Sequence, residues 1–321
     1  MSTATTSRRR IPAGLLTRNP AAMSYVVLAI TWALSIAFAS GFTSAASNQT
    51  LVRSASYLGI IAVGQTLVVM MGGIDLSVSG VVALSAVICA QVDADSGAVV
   101  AIIVALAASA LVGMVNAAGI VYLRMPPSVM TLASGTILSG VLLIYTNGQP
   151  KSATIGLLSS LANDTVAGIP LAVFAWLVPT VAAWWLLHRS RYGRYGFALG
   201  SKLSASLASG VPVAGTTFIM YATCSALAGL SGLILLGDTG TSSLTMGSPY
   251  QLLSIAAVVL GGTSILGGRG HVAGTVSGAL LLTLIQSLLA SWNLTGAQRN
   301  VAEAFLIVAL LLFYARERRD R

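Results

Sequence analysis

Charge is what this chain has least of: only 8% of its 321 residues are Asp, Glu, Lys or Arg, where a globular domain carries about a quarter. With 56% hydrophobic residues and a mean hydropathy of +0.88, a sizeable soluble domain is excluded and an integral membrane protein is specified. Cysteine is nearly absent. Cys89 and Cys224 both fall in apolar segments, where a free thiol behaves as a small hydrophobe, so no disulfide framework is implied. His188 and His271 stand alone, without a second ligand at metal spacing, so no metal site is expected. No catalytic pattern of the G-x-S-x-G, H-E-x-x-H or C-x-x-C type is present, and no G-x-x-x-x-G-K-[ST] loop for a triphosphate. An enzyme is therefore not expected, no cofactor is called for, and any ATP chemistry belongs to another chain. The net charge of +9 does not point to nucleic acid, because the basic residues lie between apolar runs and form no face interleaved with aromatics.

What the chain does have is long apolar runs. Ten stand between polar breaks, at about 21–41, 54–71, 77–91, 98–123, 128–146, 170–187, 212–236, 250–266, 272–292 and 298–315. Most approach the roughly 20 residues a helix needs to cross a hydrocarbon core about 30 Å thick. The expected fold is an all-α bundle of about ten transmembrane helices: a membrane domain over 21–315, with basic tails at 1–20 and 316–321. The first run follows Arg8, Arg9, Arg10 and Arg18 like the front of a signal peptide, but its length favours a retained anchor. If the N-terminus is inside, interior loops hold fourteen Lys and Arg residues, and exterior loops hold only Arg53, Lys151 and Arg299. That bias sets orientation, so both termini and the segment 189–210 are expected in the cytoplasm.

Within the runs, small residues are dense. The spacings Gly135–Gly140 and Gly274–Gly278 read as devices that let helix backbones approach. Two double-glycine breaks, Gly72-Gly73 and Gly261-Gly262, each end a run in the same direction, as a parallel internal repeat would. Met125, Pro126 and Pro127 stop one run and open the next. Asp75, in GGIDLSVSG, has two readings. Its carboxylate can cap the third span by accepting from amides near Ser77 and Val78, or it can touch a substrate path. Gln65, Asn116, Thr131, Asn147, Gln251 and Gln286 are further polar groups at depth, each in need of a partner. Together they outline a neutral interior suited to polyols or zwitterions. Gln65, Asp75, Asn116 and Thr131 are the candidates for contact with a translocation path. Arg299 and Glu303 can pair across one turn of the last span.

Between two apolar spans, residues 188–210 read HRSRYGRYGFALGSKLSASLASG, a polar basic stretch long enough for a short helix. In a chain without a nucleotide site, such a loop reads as a surface that receives force from a partner.

Three segments, GGIDLSVSG at 72–80, RYGRYGFALGSKLSASLASGV at 191–211 and VVLGGTSILGGRGHVAGTVSGALLL at 258–282, resemble the permease subunits of bacterial ABC importers for simple sugars. These permeases are distant relatives of the branched-chain amino acid permeases. The resemblance runs from about Ser54 to Phe313. It implies a subunit of the bacterial inner membrane that works as one of two permease copies, with ABC ATPase subunits in the cytoplasm and an extracytoplasmic substrate-binding protein. It also implies transport by alternating access, with ATP bound by the partner. The family's ATPase-coupling segment falls on Gly193, Arg194, Ala198, Gly200, Ser201, Lys202, Ala205, Ser209 and Gly210. Lys202-Leu203-Ser204 departs from the Asn-Pro-Glu common there, His271 stands where a small hydroxyl residue is common, and Ser287 stands where Asn is common. These departures bear on the partner and the cargo. Import of a branched-chain amino acid is the nearest alternative, and an ion-coupled secondary transporter is a more distant one.

Overall fold

A computed structural model describes residues 20–38, 42, 44–292, 295, 298, 301, 302, 304 and 305. Among them are twelve helices: α1 (Pro20–Phe38), α2 (Ala45–Met70), α3 (Val78–Ser96), α4 (Ala98–Tyr122), α5 (Pro127–Thr146), α6 (Gly156–Asn163), α7 (Leu171–Arg189), α8 (Arg191–Ser201), α9 (Leu203–Ala208), α10 (Val213–Thr239), α11 (Tyr250–Leu260) and α12 (Val272–Ser291). Short strands β1 (Lys151–Ser152) and β4 (Thr241–Ser242) pair antiparallel, as do β2 (Thr165–Val166) and β3 (Ile169–Pro170). Six helices, α2, α4, α5, α7, α10 and α12, are each long and apolar enough to cross a membrane. The protein is an all-α, multi-pass membrane protein. The tenth apolar run, the Arg299–Glu303 pair and the tails fall wholly or mostly outside the described residues.

The run at 250–266 is a helix only as far as Leu260. Its last residues leave the helix because Gly262 takes φ +89°, and the amides of Gly262 and Thr263 close back on the carbonyls of Val259 and Val258 at 2.9 and 3.2 Å. The first double-glycine break closes in the same way. Gly72, at φ +81°, donates to Val69 at 2.9 Å, and Gly73 donates to Val68 at 3.1 Å. This is the left-handed helix stop that glycine adopts without a Cβ penalty. The polar stretch also differs from a single helix: Lys202, extended at φ −162°, separates α8 from α9. Asn147 is not at depth but takes the left-handed position that ends α5.

Helix α10 is the hub, packed against α2, α3, α4 and α6, while α12 packs against α1, α2 and α11. In α2, 83% of the most apolar stretch is buried, against 22% in α4 and α5 and 28% in α7. Exposed Ile103, Leu111, Ile137, Ile144, Val178 and Val181 therefore form the apolar exterior that lipid or another membrane chain covers. Close approach depends on missing side chains. A Cβ at Gly278 would overlap the Ala257 carbonyl and one at Gly274 the Gly261 carbonyl, which brings α11 and α12 backbone to backbone. Gly140, five residues after Gly135 rather than four, faces open space. Gly278→Leu should therefore destabilise the bundle by about 1–3 kcal/mol. Gly140→Ala should be neutral or stabilise by up to about 1 kcal/mol, both read from detergent melting curves.

Candidate functional site

Residues 71–77 leave the helical path, and Gly73, Asp75 and Ser77 among them are buried, where backbone groups need protein partners. Side chains from α5 and α2 bond this backbone, and others from α10 and α4 hold the side chains of Asp75 and Ser77. From α5, the Thr131 hydroxyl accepts from the Leu76 amide at 3.0 Å and shares its one proton between the Ile74 carbonyl at 3.0 Å and the Pro127 carbonyl at 2.9 Å. From α2, Gln65 Nε2 donates to the Asp75 carbonyl at 3.2 Å. The Asp75 carboxylate accepts from the Ser77 amide at 2.9 Å and the Ser77 hydroxyl at 2.5 Å, and its other oxygen accepts from Ser225 of α10 at 3.4 Å. From α4, Asn116 Nδ2 donates to the Ser77 hydroxyl at 2.9 Å. Cys224 Sγ lies 3.6 Å from Gln65 Oε1.

All four path candidates thus meet in one network, and all four are fully buried. Asp75 turns its carboxylate onto Ser77, the residue that precedes α3, and bonds no amide of the first helical turn itself. None of the four lines the cavity of about 730 Å³ that opens beside the break. What this arrangement does is hold a broken backbone inside the bundle. Ser225 and Cys224 belong to the network too, and nothing in their sequence context marked them. Gln251 accepts from Ser79 at 3.4 Å, which ties α11 to α3.

The second break and the polar stretch close on the first. The Gly268 amide donates to the Met70 carbonyl, the last of α2, at 2.9 Å. Gly200 lies between them: a Cβ there would overlap the Met70 oxygen and the Gly268 nitrogen. Gly267 is similarly tight, since an added Cβ would come within 2.8 Å of both the Gly200 Cα and the Gly72 nitrogen. The three segments at 72–80, 191–211 and 258–282 therefore share one junction. Helix α8 is built for it. Ser190 caps its start by accepting from the Gly193 amide at 3.2 Å, and Gly193, Gly196 and Leu199 form a buried stripe at helical spacing.

Of the expected coupling residues, Gly193 and Gly200 face their own chain, so their small size serves internal packing. Ala198 is half-buried, while Arg194, Ser201, Lys202, Ala205, Ser209 and Gly210 are exposed. Among the described residues, no three His, Cys, Asp or Glu side chains gather.

Two substitutions test this geometry. Thr131→Val keeps the shape but removes the hydroxyl that serves both Ile74 and Leu76, and should cost about 1–3 kcal/mol in thermal stability. Gly200→Val should lower the melting temperature or abolish expression of the chain produced without any partner, whereas a purely partner-facing position would leave the isolated chain unchanged.

No solved structure matches the chain. Residues 48–315 match the family described as "Branched-chain amino acid transport system / permease component". The ribose import permease protein RbsC of Escherichia coli is 34% identical over 319 residues, covering 97% of this chain and 98% of the relative. The corresponding protein of Bacillus subtilis is 34% identical over 82% of this chain and 83% of its own length. The fructose import permease protein FrcC of Rhizobium meliloti is 30% identical over 92% of this chain and 84% of its own length. The chain belongs to this permease-component family, and the sugar import permeases are among its relatives there.

Proposed function

We propose that this chain is the membrane-spanning permease subunit of an ATP-binding-cassette importer, forming the path for a monosaccharide or similar small polyol in a bacterial cytoplasmic membrane. It would have about ten spans with both termini inside, pair with a second permease copy, receive cargo from an extracytoplasmic binding protein and be driven by separate cytoplasmic ATPase subunits. The names of the relatives support a sugar cargo, and the neutral amide- and hydroxyl-bearing interior is consistent with an uncharged one. The observation that carries the reading is the junction at Gly200. A force applied to the exposed face of α8 that carries Arg191 and Arg194 reaches both broken helix ends through backbone contacts at Gly200, with no flexible side chain between. Alternating access follows if those ends move as one with α8. The family's own description favours a branched-chain amino acid as the second reading. Ion coupling has little support, since Asp75, the intramembrane acid among the described residues, is enclosed in the network that holds the break.

The test is reconstitution with the ATPase and binding protein that co-purify. ATP-dependent uptake of a monosaccharide is expected. Uptake by the chain alone under an ion gradient, or ATP-driven uptake of leucine but of no sugar, would overturn the proposal. Arg194→Glu, on an exposed position, should leave the melting temperature unchanged while weakening assembly with the ATPase by about tenfold or more.

A further inference from the structure

The cavity beside the first break is lined by Met71, Ile120, Leu199, Leu203, Leu207 and Val213, so its walls are mainly apolar and drawn from α4, α8, α9, α10 and the break itself. Its volume of about 730 Å³ lies within the roughly 300–1,000 Å³ usual for ligand sites. Three further groups give it polarity. Tyr221, 1% exposed, lines it with its hydroxyl buried against Gly73 and, among the described residues, without a hydrogen-bond partner. Thr217 lies one helical turn earlier. Arg124 is exposed and, among the described residues, without a partner. It also sits at φ +53°, a left-handed position that costs an L-residue roughly 1–2 kcal/mol and where glycine would be free of strain.

The surroundings are one-signed. Arg189, Arg191, Arg194 and Lys202 are exposed at this end of the bundle, whereas Asp75, the acid among the described residues here, is buried. We infer that this cavity is a binding site for an anionic phospholipid. Its acyl chain lies along the apolar walls, and Arg124, with Lys202 beside Leu203, meets the phosphate. The lipid would touch the coupling helices and the break at once and so wedge the joint between them. The inference needs only that the chain lies in a bilayer, so its failure would leave the transport reading intact.

The experiment is lipid titration of the purified full-length chain, with retained phosphatidylglycerol and phosphatidylcholine counted by native mass spectrometry and melting temperature followed in parallel. The wild type should retain, and be stabilised by, phosphatidylglycerol in preference to phosphatidylcholine. Arg124→Gly relieves the backbone strain and so should fold at least as stably, yet lose that preference by about fivefold. Ala214→Trp, which fills the cavity, should lose both lipids. If Arg124→Gly keeps the full preference, or Ala214→Trp binds as the wild type does, the inference fails. It also fails if assembly with the ATPase strips the lipid, because the cavity would then be the partner's. Arg124→Gly decides the matter alone should Ala214→Trp not fold.

Discussion

A helix that stops against packed protein leaves carbonyls that other protein groups must satisfy, and this end of the bundle is organised around that constraint. Met70, fully buried, ends α2 there, and its carbonyl oxygen accepts from the Gly268 amide. That bond requires two backbones to meet with α8 crossing at the same point, which is possible because position 200 has no side chain. The nearby network of Gln65, Asp75, Ser77, Asn116 and Thr131 solves the same problem for residues 74–77. The two breaks are stopped alike, at Gly72 and Gly262, but completed differently: the first by side chains of neighbouring helices, the second partly by its own loop, where Ser264 donates its amide to the Arg269 carbonyl at 2.9 Å.

Rigidity at this point has a mechanical meaning. A contact between backbones transmits displacement without rotamer slack, since core packing is close to that of a molecular crystal. Helices α4, α5 and α7, with mostly exposed apolar faces, are the elements left to slide against lipid or another membrane chain. The hub α10 touches the break network through Ser225 and the cavity through Tyr221. It is thus the element whose tilt would be felt at both places.

Much of the scaffold was legible in the sequence, because lipid imposes a simple rule on composition. Nine apolar runs coincide with α1–α5, α7 and α10–α12, and the double glycines marked both helix stops. The buried network was only half legible. Gln65, Asp75, Asn116 and Thr131 stood out one by one as polar groups in apolar surroundings, but their meeting depends on which helices are neighbours, and a hydropathy pattern carries no such information. For the same reason Ser225 and Cys224 looked like ordinary members of an apolar helix. The contacts of Gly200 were not legible either, because nothing in a polar segment says that a small residue there makes room for two other stretches of its own chain. The end of α11 at Leu260 was hidden because Ile265 and Leu266 are apolar enough to prolong the run, although both are exposed.

The bond from Gly268 to Met70 joins parts of the chain made far apart in time. Residue 70 is synthesised early, and its partner emerges only after well over half of the remaining chain has followed. Until then α2 ends in a carbonyl with no protein donor from the second break, and α8 has only one side of its groove. Insertion into the bilayer can proceed helix by helix, but this joint closes late. A chain truncated before that loop would thus hold most of its membrane helices yet lack the joint that unites them.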